Sequence, residues 1–110
     1  MIPESVRIFV AMEPQDMRRG FDRLAVKARE LTGHDPLEGG LYVFVNKRRT
    51  RAKVLWWDTT GYCLLYKRLH RALFLIESPS WCTSCSVVIR GDDLIALLRG
   101  VAREKRKKIS

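Results

Sequence analysis

Residues 41–69 read Leu41-Tyr42-Val43-Phe44-Val45, Asn46-Lys47-Arg48-Arg49-Thr50-Arg51, Ala52-Lys53-Val54-Leu55-Trp56-Trp57-Asp58, Thr59-Thr60-Gly61 and Tyr62-Cys63-Leu64-Leu65-Tyr66-Lys67-Arg68-Leu69. Short β-branched and aromatic runs punctuated by Asn, Asp, Thr and Gly are the pattern of consecutive antiparallel hairpins. The stretch therefore predicts a three-stranded meander whose first turn is strongly cationic. In its middle run Val54 and Trp56 point one way while Leu55 and Trp57 point the other. That strand is expected to be central and covered on both sides, with both tryptophans in the core rather than stacked on unpaired bases.

A chain of 110 residues suits one domain that needs neither disulfides nor metal for its core. The reading places a domain at 1–102 and a basic tail at 103–110. Lys and Arg number 21 against 12 Asp and Glu, a formal charge of +9. An excess of that size favours a polyanionic partner through long-range attraction and counterion release, and nucleic acid is the first candidate. The opening Met1-Ile2-Pro3-Glu4-Ser5 lacks the basic and apolar regions of a signal peptide. No run approaches the ~20 apolar residues that span a bilayer, so a cytoplasmic protein without a membrane partner is expected. Cys63, Cys82 and Cys85 are an odd number without disulfide-scaffold spacing, and reduced thiols are the expectation.

Residues 6–11 form a first strand, broken by Glu13-Pro14-Gln15, with Asp16 placed to cap a helix. Met17, Phe21, Leu24, Ala25, Ala28 and Leu31 then recur at helical spacing up to Gly33. The opposite face carries Arg19, Arg23 and Lys27, either solvated or in contact with phosphates. Gly20 would lie inside this helix, where it costs roughly 1 kcal/mol relative to Ala, which suggests a strand packed closely beneath it. Residues 35–40 read as a loop, 73–76 as a strand, and Val87-Val88-Ile89 as a short strand. Gly91-Asp92-Asp93 opens a second amphipathic helix through Leu94, Ile95, Leu97, Leu98 and Val101. The tail holds five basic residues and one acid over 103–108, and disorder is expected there without a polyanion. The fold class is α+β, a mainly antiparallel meander sheet with both helices on one face.

Trp81-Cys82-Thr83-Ser84-Cys85 has the surface form of a redox motif, but a strand-like run follows it and no βαβ unit precedes it. Zinc would need Cys63 with His34 or His70 beside that pair, and the second spaced pair of a zinc site is missing. Neither a metal nor a cofactor is expected. Asp16 and Asp58 are better explained as cap and turn residues, nothing in the spacing of Asp22 and Asp92 demands that they complete an acidic nuclease site, and catalysis is not expected. The sharpest signal is Lys47, Arg48, Arg49, Arg51 and Lys53 within seven residues, with no acid between Leu41 and Trp57. A hairpin presents such a cluster to a phosphate backbone, whereas the bland alternative is a charged tip that keeps an edge soluble. Lys67 and Arg68, Arg19 and Arg23, and Lys105, Arg106, Lys107 and Lys108 add to the same sign of charge and complete the candidate contacts.

Asp16-Met17-Arg18-Arg19-Gly20-Phe21-Asp22, Lys53-Val54-Leu55-Trp56-Trp57-Asp58 and the spacing from Gly61 through Lys67-Arg68-Leu69 together resemble a known family. It is the small accessory protein, called TnpB or the second-open-reading-frame protein, of bacterial insertion sequences of the IS-sixty-six type, unrelated to the RNA-guided nuclease of the same name. The resemblance implies an accessory factor for transposition acting beside a separate transposase, and it supplies no catalytic residues. The chain departs from it after Leu69, where His70-Arg71-Ala72 replaces an acid and a glycine, and at 81–85. Two functions follow as expectations. One is a non-enzymatic DNA-binding factor using the basic hairpin. The other is an interaction module docking onto the transposase or a second copy of itself through Trp57, Tyr62, Tyr66 or a sheet edge.

Overall fold

The structure, a computed structural model, describes residues 6–70, 72–74 and 86–102. The chain runs β1 (Ile8–Ala11), α1 (Phe21–Thr32), a one-turn 3₁₀ helix (Pro36–Glu38), β2 (Leu41–Val45), β3 (Arg51–Asp58), β4 (Gly61–Arg68), β5 (Ala72–Leu73), β6 (Ser86–Ile89), α2 (Gly91–Arg99) and β7 (Val101–Ala102). Five strands form one sheet in the order β4-β3-β2-β1-β6, and β5 pairs with β7. The fold is α+β.

The three runs of 41–69 are β2, β3 and β4, each antiparallel to the next, with Val43 opposite Val54 and Val54 opposite Leu65. The remainder of the sheet is not the extension of a meander. β1 lies parallel to β2, with Ile8 opposite Leu41, and antiparallel to β6, with Phe9 opposite Val88. The sheet is therefore mixed, and β1-α1-β2 is a βαβ unit that the sequence reading did not anticipate. Its signal was legible in principle, because every residue of β1 and residues 42–45 of β2 are buried. Strands buried on both faces read as continuous apolar runs rather than alternating ones.

The helices do not share one face of the sheet, the arrangement that the sequence led one to expect. Phe9, Ala11, Tyr42, Phe44 and Leu55 pack with Leu24, Ala25 and Ala28 of α1. Ile8, Val10, Val43, Val45, Ala52 and Val54 turn to the other side and pack with Phe74 and Leu94 of α2. The two helices cover opposite faces, and β2 is the middle of three layers. Each fully buried large apolar side chain contributes about 1.5–3 kcal/mol, so β2 anchors both halves of the core. Trp56 and Trp57 are half-buried, Trp56 against the α2 side and Trp57 edge-to-face with Tyr62 at 5.0 Å.

The first helix begins later than its apolar spacing suggests. Asp16 does not cap it, since its carboxylate accepts the Arg18 N–H at 2.9 Å and the Arg18 guanidinium at 2.8 Å. Gly20 is the N-cap, with open space where a Cβ would be, and no strand presses on it. The physical reason is Lys53, whose ammonium donates to the Arg19 carbonyl at 2.8 Å. A carbonyl held by that ammonium is drawn away from the helical hydrogen-bond ladder. The helix ends as read, with Gly33 at φ 76° and its N–H donating to the Arg29 carbonyl.

Helix α2 buries Leu94 and partly buries Leu97 and Leu98. The Arg90 N–H donates to the Asp93 carboxylate at 3.2 Å at its start. At its end Gly100 has φ 77°, and a Cβ there would lie 3.0 Å from the Leu73 carbonyl oxygen. Glycine lets the chain turn directly into β7. Of the strand expected at 73–76, Leu73 lies in β5 and residues 75–76 are outside the described residues. Among the described residues no helix is long and apolar enough to cross a membrane.

Candidate nucleic-acid interface

The β2–β3 connection is an ordered turn organised by Asn46. Its carbonyl accepts the Arg49 N–H at 3.0 Å and its N–H donates to the Arg51 carbonyl at 3.0 Å. Its Oδ1 accepts the Thr50 and Arg51 N–H groups at 2.9 and 3.0 Å. Arg49 takes the left-handed conformation at φ 62°. From behind, the Thr50 carbonyl accepts the Leu69 N–H at 2.7 Å and the Arg49 carbonyl accepts the Phe74 N–H at 2.8 Å. Phe74 is fully buried on the α2 side. The turn is thus clasped by the chain that follows β4, while Lys47, Arg48 and Arg49 stand exposed.

Strand direction decides which other cations join them. β4 ends where β3 begins, with Arg68 opposite Arg51 and Lys67 opposite Ala52. The segment after β1 reaches the same end, where the Gln15 N–H donates to the Val45 carbonyl at 3.0 Å. The Arg19 guanidinium donates to Gln15 Oε1 at 3.2 Å. Arg18, Arg19 and Arg23 line a shallow depression of about 550 Å³ with Asp16, Phe21 and Asp22. β7 brings Ala102 opposite Ala72. Lys105, Arg106, Lys107 and Lys108 lie outside the described residues, as do Arg71 and the stretch 81–85.

Three other cations have acidic partners, whereas Arg7, Arg90 and Arg99 are exposed and, among the described residues, have none. Arg18 pairs with Asp16 at 2.8 Å, Lys27 with Glu13 and Glu30 at 3.4 and 3.5 Å, and Arg29 with Asp35 at 3.9 Å. Hydrogen bonds from Arg18 hold the Asp16 carboxyl well below the usual carboxylate range. Among the described residues no ion pair reaches Lys47, Arg48, Arg49, Arg51, Lys67 or Arg68. Arg51 and Arg68 meet as directly opposed like charges across β3 and β4, an arrangement that destabilises a sheet unless an anion compensates it.

Lys53 leaves this set. It is 8% exposed, its ammonium is bound to the Arg19 carbonyl, and it lies 5.0 Å from the centre of the Tyr66 ring. A buried ammonium without partners would be strongly destabilising, and the carbonyl and ring face supply them. Its role is to fasten the 16–22 turn to β3, so the expected phosphate contact is replaced by an internal one. Arg18 is exposed beside Arg19, but its guanidinium is already paired with the Asp16 carboxylate, so it does not join the unpaired cations.

The acidic residues do not gather. Asp16 and Asp22 share the depression, but Asp58 lies five residues beyond Lys53 along β3, about 16 Å at the rise of a strand. Cys63 is half-buried on β4, and the His34 ring lies 4.9 Å from Phe9. Among the described residues no group of three His, Cys, Asp or Glu is placed to hold a metal.

A family model described as IS66 Orf2 like protein matches residues 6–108. The chain belongs to the IS66 Orf2-like family. Membership implies an accessory role in transposition by insertion sequences. The chain is similar to an uncharacterized protein of Sinorhizobium fredii, y4hO, at 36% identity over 103 residues, covering 92% of this chain and 87% of the relative. It is also similar to a second uncharacterized protein of that organism, y4jC, at 36% over 70 residues, covering 64% and 60%. No solved structure matches it. In this IS66 Orf2-like chain the motif stretches 16–22 and 53–58 meet in space, joined by the hydrogen bond from Lys53 to Arg19.

Proposed function

We propose that this protein is a non-enzymatic accessory factor for DNA transposition that binds DNA phosphates with the basic end of its sheet. Lys47, Arg48 and Arg49 form the tip, Arg51, Lys67 and Arg68 the base, and Arg19 and Arg23 the flank, with Lys105, Arg106, Lys107 and Lys108 of the tail adding contacts. A cytoplasmic location goes with that partner. The observation that carries the reading is the opposed pair Arg51 and Arg68, beside three exposed cations on an ordered turn, with no acidic partner among the described residues. Such binding is dominated by counterion release and weakens with salt at a log–log slope near −0.9 for each phosphate neutralised.

The test is titration of a labelled duplex carrying an element end, and of a scrambled duplex, across a salt series. Wild-type protein binds both with a steep slope. Arg48→Glu/Arg49→Glu reduces the slope by about 2 and weakens binding at least tenfold at low salt. A flat salt response overturns the reading, and a preference for the element end adds base recognition, which phosphate contacts alone do not give.

A second reading is favoured by the aromatic side of β4. Trp57 and Tyr62 pack edge-to-face, and Tyr66 is 51% exposed. Aromatic residues of this kind suit an interface with the transposase or with another copy. On this reading Trp57→Ala/Tyr62→Ala abolishes co-purification with the transposase while the hairpin charge reversal leaves it intact.

A further inference from the structure

Strand β4 is an outer strand of the sheet, and among the described residues nothing pairs with its free edge. Its Leu69 end donates an N–H toward Thr50, on the β3 side. Successive backbone groups of a strand point to opposite sides, so the odd-numbered residues bond toward β3 and Tyr62, Leu64, Tyr66 and Arg68 present their N–H and C=O groups outward. Natural edge strands are shielded by charge, proline or a bulge. From Tyr62 to Tyr66 this one has no charged residue and no proline, and Leu65 and Tyr66 are 42% and 51% exposed.

The geometry points to a second copy of this chain on that edge, β4 pairing antiparallel with β4 about a two-fold axis at Leu65. In this register Leu65 meets Leu65, Leu64 meets Tyr66, and Tyr62 meets Arg68. All four outward-facing residues then find outward-facing partners, whereas a two-residue slip in either direction leaves at least one without a partner in β4. Apolar side chains meet at the axis, and each Arg68 comes to lie beside a tyrosine ring. Parallel pairing would set Lys67 against Lys67 and Arg68 against Arg68, so charge selects the antiparallel arrangement. The contact is isologous, and it directs the two basic ends away from each other. The proposal makes specific the self-association arm of the second reading and does not depend on DNA contact.

The experiment is sedimentation of the purified full-length protein without DNA over a concentration series, together with cysteine cross-linking. Wild type sediments at twice the 12.8 kDa chain mass. Tyr66→Pro removes one outward N–H and no bond to β3, and it returns the protein to monomer. With Cys63→Ser, Cys82→Ser and Cys85→Ser as background, Leu65→Cys forms a disulfide-linked dimer on oxidation. Opposed residues of a non-hydrogen-bonded pair have Cα atoms about 4.5 Å apart, within disulfide reach. Val88→Cys, on the exposed edge at β6, does not cross-link. A wild-type monomer at every concentration, or a folded Leu65→Cys protein that fails to cross-link, overturns the proposal and leaves DNA binding standing. Cross-linking through Val88→Cys overturns it in favour of the other edge. Should Tyr66→Pro fail to fold, the cysteine result decides.

Discussion

Lys53 sits in the sequence as one more cation of a basic hairpin, and in the fold it is an internal strut. Its partner carbonyl belongs to Arg19, 34 residues earlier. Neither charge counting nor strand periodicity reports a contact of that range, so the exposed cations of the hairpin were legible and the buried one was not. Tyr42 is a second residue whose environment decides its chemistry. It is 1% exposed, its ring stacks on Phe9 at 5.1 Å, and its hydroxyl donates to the Gly39 carbonyl at 3.1 Å. Burial, reinforced by Asp35 and Glu38, pushes its phenol up to about 12. The folded protein therefore favours the neutral form. Its contribution to stability is complete below the ordinary tyrosine value of about 10 and is lost as pH rises toward 12. Denaturant midpoints measured from pH 9 to 12 are expected to fall for wild type. In Tyr42→Phe the fall is shallower, from a starting point lowered by about 1 kcal/mol for the lost hydrogen bond.

At the scale of elements, the β2–β3 turn combines support with strain. Asn46 and the clasp from Leu69 and Phe74 hold it, yet Arg49 occupies a left-handed position that glycine fills more readily. An arginine there exchanges stability for an exposed charge. Arg49→Gly is expected to stabilise the fold by about 1 kcal/mol, read as a rise in Tm of roughly 4 °C. The same variant lowers the salt slope of DNA binding by about 1. The runs and turns of β2, β3 and β4 were legible because short β-branched and aromatic runs and the turn residues between them agree along the whole stretch. The start of α1 was not, because Met17 continues the apolar spacing while the Arg19 carbonyl is taken by Lys53.

Across the whole molecule, the α+β class was legible, whereas the parallel pairing of β1 with β2 and the placement of α1 and α2 on opposite faces were not. Both depend on how a chain crosses over a sheet, which spacing within an element does not encode. The all-apolar character of β1 and β2 was the available clue, since a strand covered on one face alone would alternate. The candidate interface was likewise legible as a sum of charge along the chain. What the fold adds is direction, because strand polarity brings the 46–51 turn, the end of β4 and the turn before α1 to one end, while Asp58 and the start of α2 lie at the other. Hairpin tips are ordinarily where a chain accepts inserted residues. Here the carbonyls of Arg49 and Thr50 are already engaged from behind, so one added residue would break register with Leu69 and Phe74 together. The tip of this hairpin can change its side chains but not its length.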